Sequence, residues 1–96
     1  MTYKLKFIPA ALKEWKKLAP PIKSQFRKKL SERLENPRIQ SAKLRGFSDV
    51  YKIKLKSSGY RLAYEVFESE LIVMVLAVGR RERSEVYKNL SVRKKV

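Results

Sequence analysis

The sequence predicts an α+β domain: a small antiparallel sheet with an N-terminal helical hairpin laid across one face and a short C-terminal helix, in the order β-α-α-β-β-β-α. Three observations carry this expectation. Tyr51, Ile53 and Leu55 alternate with Lys52, Lys54 and Lys56, the period of two of a half-buried strand. Ile22, Phe26, Leu30 and Leu34 recur every four residues, the apolar stripe of a helix. Leu71 to Val78, LIVMVLAV, is apolar at every position and suits a central strand covered on both faces. The 96 residues are enough for one such domain, 1–96, and no repeat, low-complexity stretch or linker divides them.

Taken in order, Thr2 to Phe7 alternates Tyr3, Leu5 and Phe7 with Lys4 and Lys6, a first strand. Pro9 suits the first turn of a helix. In that helix Ile8, Leu12, Trp15 and Leu18 face inward, with Lys13, Glu14, Lys16 and Lys17 outside. Trp15 reads as part of the buried stripe rather than as a stacking platform. Ala19-Pro20-Pro21 breaks this helix and opens the next, whose other sides carry Lys23, Arg27, Lys28, Lys29 and Arg33. Asn36-Pro37 stops it. Arg38 to Ser48 is a loop that leads through Lys43, Arg45 and Gly46 into the second strand. After Gly79, Arg81 to about Leu90 forms a short helix anchored by Val86 and Leu90, and Ser91 to Val96 is a basic tail.

The hairpin at the centre of the chain sets the surface of interest. With Ser58-Gly59 as a two-residue loop, Leu55 meets Leu62, Ile53 meets Tyr64 and Tyr51 meets Val66. Lys56 then meets Arg61, Lys54 meets Ala63 and Lys52 meets Glu65 on the other face. A three-residue loop would slip the register by one and set Leu62 among the lysines. The helices cover the apolar face, leaving Lys52, Lys54, Lys56 and Arg61 on an open one. On the residues alone two readings stand, a solvated outer face or a site for a polyanion. A second basic cluster, Arg80, Arg81 and Arg83, starts where the central strand stops.

Composition narrows the chemistry. Twenty-four Lys plus Arg stand against nine Asp plus Glu, a net charge of +15 that favours nucleic acid or an acidic protein as partner. The longest apolar run is far too short to span a bilayer, and no signal-peptide pattern opens the chain. With no Cys, a reducing cytosol is the natural compartment. With no His, the commonest general acid–base and the commonest metal ligand are both missing. The carboxylates have no metal-binding spacing, and no Gly-rich phosphate loop is present. Any catalysis therefore rests on Lys, Arg, Tyr or Glu, without metal or cofactor.

LRGFSDVYKIKLKSSGYRLAYEV, VGRRERSEVY and the N-terminal ALKEWKKL together resemble the RelE toxins of bacterial toxin–antitoxin pairs. The match runs from about Met1 to Tyr87 without insertions, and its strength lies in its length. The resemblance implies a cytoplasmic bacterial toxin that inhibits translation by cleaving messenger RNA within codons in the ribosomal A site. It also implies three partners: the small-subunit ribosomal RNA, an acidic antitoxin of the RelB type, and operator DNA through the antitoxin complex alone. By motif, the catalytic residues it implies are Lys52, Lys54, Arg61, Arg81 and Tyr87, with Arg45 contacting the RNA. Lys43, Lys56, Arg80 and Arg83 are further candidate RNA contacts.

Elementary chemistry is consistent with these roles. The ribose 2′-OH is the nucleophile, so the protein has to remove a proton, stabilise the crowded phosphate and help the 5′-oxygen leave. Repulsion within the cluster penalises the ammonium form and makes Lys52 or Lys54 a candidate base. Arg61 presents a planar fork to phosphate oxygens. Arg81 would stabilise or protonate the leaving oxygen, and Tyr87 would stack on a displaced base. The products would be a 2′,3′-cyclic phosphate and a 5′-hydroxyl. Two alternatives use the same charge or fold: a non-catalytic RNA- or ribosome-binding module, and a gyrase-poisoning relative.

Overall fold

Proline starts both helices. Pro9 and Pro20 occupy the first helical positions of α1 (Pro9–Lys16) and α2 (Pro20–Glu35), where a missing N–H costs nothing and φ is already set. The computed structural model describes residues 2–56 and 58–80. Its strands are β1 (Lys4–Phe7), β2 (Val50–Leu55), β3 (Tyr60–Phe67) and β4 (Ile72–Arg80). They form one sheet in the order β1-β4-β3-β2. The expected C-terminal helix from Arg81 lies outside the described residues.

The sheet is mixed rather than purely antiparallel, because β1 pairs with β4 in parallel. The helices dictate that direction. Beyond β1, α1 runs on along the upper half of β4, where Ile8 N–H donates to Val75 O and Glu14 Oε1 accepts from Val78 N–H. The longer α2 then returns the chain to the foot of β1, where Tyr3 N–H donates to Leu34 O. β2 therefore also starts at the foot. Two antiparallel pairings later β4 runs the same way as β1.

Both helices lie on one face of the sheet, as expected. Ala11, Trp15, Leu18, Phe26 and Leu30 meet Tyr51, Ile53, Leu55, Leu62, Tyr64, Val66, Val73, Val75 and Val78 in the main core. Trp15 is buried between Phe7 and Phe26, its ring 5.3 and 6.2 Å from theirs.

The hairpin loop is longer than the sequence reading allows. Leu55 pairs with Tyr60, which leaves four residues between the last paired positions rather than two. Gly59, at φ +75°, turns the chain back and donates its N–H to Leu55 O at 2.9 Å. The pairs become Ile53 with Leu62, Tyr51 with Tyr64, Lys54 with Arg61, Lys52 with Ala63 and Val50 with Glu65. Displacement by two preserves which face each side chain occupies, whereas displacement by one would not. The new pairing stacks Tyr51 on Tyr64, with ring centroids 5.8 Å apart.

The second face is half covered, not open. A bulge between Tyr64 and Ala63 leaves Leu76 as an extra residue on β4, and Leu76 and Ala77 both turn to that side. They need cover, and the loop after α2 supplies it: Leu44 and Phe47 pack over Val50, Ala63, Leu76 and Ala77. Leu71 belongs to the preceding turn, at φ +54°, and not to the strand.

An ionic clasp closes the foot of the sheet. Arg38 binds both oxygens of Asp49, at 3.2 and 3.3 Å, and reaches Glu68 Oε2 at 3.2 Å; Glu68 also accepts the Tyr3 hydroxyl. The Arg38 bond holds the Asp49 carboxyl below its ordinary range, and the Tyr3 and Arg38 bonds do the same for Glu68. Carboxyls depressed in the folded state stabilise it above their unfolded values and lose that effect as pH falls through the folded ones. The difference in Tm between the parent and Arg38→Gln is expected to be constant at neutral pH and to shrink below about pH 4. A difference that does not change with pH would show that the clasp is not linked to folding. The three groups are well exposed, so the shift should be modest.

Candidate functional site

Cross-strand register assembles the basic face. Lys54 stands opposite Arg61, and Arg61 opposite Gly79; one step along, Lys52 stands opposite Ala63, and Ala63 opposite Ala77. Opposed residues have Cβ atoms about 4.5–5.5 Å apart. Three long cations therefore stand together beside the patch that Leu44 and Phe47 cover, with Gly79 next to Arg61. Lys54 is exposed, and Lys52 and Arg61 are half-buried. An anion bound among them would relieve their mutual repulsion.

The flanking candidates extend this basic face. At its foot, Lys43 bridges to Tyr51 and Leu44 N–H donates to Val50 O at 2.9 Å, which fixes the loop carrying Lys43 and Arg45 to the margin of β2. Both side chains are exposed. Gly46, at φ +82°, makes the turn that brings Phe47 back onto the sheet. At the top, Lys54, Lys56, Tyr60 and Arg61 line a depression around the hairpin loop.

Arg80 is not brought to the cluster. It pairs with Tyr60 on the helix-covered face, donating from Nε to the phenol oxygen at 3.2 Å with its guanidinium 5.4 Å from the ring centre. Arg81, Arg83 and Tyr87 lie outside the described residues.

Sequence reasoning missed Arg33. It was assigned to the outer sides of α2, yet it follows Phe26 by seven residues and Leu30 by three, the spacing of a position flanking the buried stripe. Its side chain crosses the margin of β2. Nη1 donates to Lys52 O at 3.1 Å and to the Tyr64 hydroxyl at 2.9 Å, and that hydroxyl donates to Pro37 O at 2.6 Å. Burial pushes the Tyr64 phenol above its ordinary range, with Arg33 partly opposing it.

The sequence from residue 5 to 85 matches the family described as the ParE toxin of the type II toxin–antitoxin system parDE. The Escherichia coli (strain K12) protein named mRNA interferase toxin RelE is 58% identical over 87 residues, covering 91% of this chain and 92% of that protein. The chain belongs to the RelE family of type II toxins. The solved RelE structures agree with its helices and four-stranded mixed sheet. A free E. coli RelE arginine-to-alanine mutant superposes with a TM-score of 0.90 at 52% identity, covering 98% of this chain and 99% of that one. RelE in the intact E. coli RelBE toxin–antitoxin complex superposes with a TM-score of 0.82 at 54% identity, covering 84% of this chain and 99% of that one. The RelE-type sheet thus carries Lys52, Lys54 and Arg61 together. No helix among the described residues is long and apolar enough to cross a membrane.

Proposed function

We propose that this chain is the toxin of a toxin–antitoxin pair, a cytoplasmic endoribonuclease that cuts messenger RNA within codons in the ribosomal A site and so stops translation. The observation that carries this reading is the register that sets Lys54 opposite Arg61 and beside Lys52. It occurs in a chain 58% identical to a protein named as an mRNA interferase.

In this reading Lys52 or Lys54 takes the proton from the 2′-OH, which attacks the adjacent phosphorus. Arg61 holds the equatorial oxygens as charge develops on them. Arg81 stabilises the departing 5′-oxygen, which takes its proton from Arg81 or water, and Tyr87 stacks on a displaced base. The P–O5′ bond breaks, leaving a 2′,3′-cyclic phosphate and a 5′-hydroxyl. Lys43, Arg45, Lys56 and Arg83 hold the RNA backbone by charge. Restraint falls to an antitoxin of the RelB type whose acidic groups neutralise this face, as the RelBE complex of the relative suggests. Operator DNA is met only through that complex.

Primer extension on a message translated in the presence of the protein tests the reading. Breaks within codons at ribosome-occupied positions are expected. Intact message with binding alone would point to a non-catalytic module, and intact message with trapped gyrase to a gyrase poison.

A further inference from the structure

The basic face has an annex that the assigned chemistry reaches only through Lys52 and Lys54. Arg33, Ser41, Ala42, Lys52 and Lys54 line a depression at the outer margin of β2, the strand at the end of the sheet. Its most constrained cation is Arg33. Of the five N–H donors of a guanidinium, Nη1 supplies the two that bind Lys52 O and the Tyr64 hydroxyl. The flat of the group lies 5.8 Å from the Tyr64 ring centre, and the Tyr64 hydroxyl is itself tied to Pro37 O. The head is thus held from two sides. The Nε and Nη2 hydrogens have no hydrogen-bond partner among the described residues.

We propose that Arg33, with Ser41, Lys52 and Lys54, forms a subsite at the margin of β2 that holds one phosphodiester of bound RNA next to the scissile one. The inference rests on the reading above for its ligand. A guanidinium edge offering parallel N–H donors matches two phosphate oxygens, and one already ordered loses little freedom when they arrive. The Ser41 hydroxyl adds a donor and the two lysines add charge. Lys52 and Lys54 then face the scissile phosphate on one side and its neighbour on the other. Arg33 would hold the strand between two consecutive phosphates and so position the 2′-OH.

The test separates a phosphate contact from a structural strut. Binding of the full-length protein to ribosome–message complexes is measured across a salt series for the parent, Arg33→Gln and Arg33→Lys, with Tm recorded for each. Arg33→Gln is expected to bind about tenfold more weakly at low salt. Its plot of log affinity against log salt should flatten by roughly 0.7–0.9, the share of one phosphate. Arg33→Lys, which keeps the charge, should keep the slope. An unchanged slope in Arg33→Gln, or losses in both variants that follow only their Tm, would overturn the subsite. The same series on ribosomes without message distinguishes the source. Flattening only when message is present supports the subsite, whereas equal flattening without message assigns the contact to ribosomal RNA and overturns it. Because binding is read rather than cleavage, a failure of the nuclease reading would appear separately, as a parent protein that binds and does not cut.

Discussion

Arg61→Ala is expected to slow single-turnover cleavage of ribosome-bound message by about 100- to 1000-fold, the usual cost of removing a donor aimed at transition-state charge. The fold should survive the change. Arg61 lies on the face away from the main core, and its neighbours across the sheet are Lys54 and Gly79. Ribosome binding should fall only by the share of one phosphate contact. Arg80→Ala is the matched control: it removes an arginine from the same end of the sheet but from the helix-covered face, and should cost far less. Near-parental cleavage by Arg61→Ala, or equal losses from both variants, would remove Arg61 from the site. Arg81→Ala is expected to behave like Arg61→Ala if its charge meets the leaving oxygen.

The second large effect is dependence on the ribosome. Naked single-stranded RNA should be cut many orders of magnitude more slowly than message held in the A site. The chain has no His, so its proton-transfer groups are poorly matched to neutral pH. Most of the acceleration must then come from aligning the 2′-OH, phosphorus and leaving oxygen, which is worth up to about 7–11 kcal/mol when the geometry is well held. A flat sheet face grips RNA by charge but does not bend it. Comparing single-turnover rates on free and ribosome-bound message of one sequence measures the difference, and equal rates would sink this account.

The strand faces were legible in the sequence because side chains alternate with a period of two whatever the loop does. Tyr51, Ile53 and Leu55 face the helices and Lys52 and Lys54 do not, although the loop has four residues rather than two. Which residue opposes which was not legible, since alternation is blind to a shift of two, and the juxtaposition of Lys54 and Arg61 depends on that shift. The apolar run in β4 marked a central strand but hid the bulge at Leu76, because a segment with no polar residue carries no phase. The parallel partner β1 could not be read from its own four residues; it follows from where α2 ends. Arg80, near the cluster in sequence, falls on the other side of the sheet because one step along a strand reverses the side a residue faces. Arg33 was overlooked because an arginine next to an apolar stripe looks like any solvated helix charge until its partner across the strand margin is known.

The margins of this sheet also bear on how the protein behaves at high concentration. Bare amides along an edge strand invite another sheet to join, and a strongly apolar strand such as β4 would be a dangerous one to leave uncovered. Here α1 lies along its upper half and the Glu14 carboxylate occupies the Val78 amide. At the opposite margin Arg33 occupies the Lys52 carbonyl and Lys43 bridges to Tyr51. At these two points the borders are blocked by groups of opposite charge, an acid over a donor and a base over an acceptor. These contacts hinder edge-to-edge pairing at those positions without lengthening the chain.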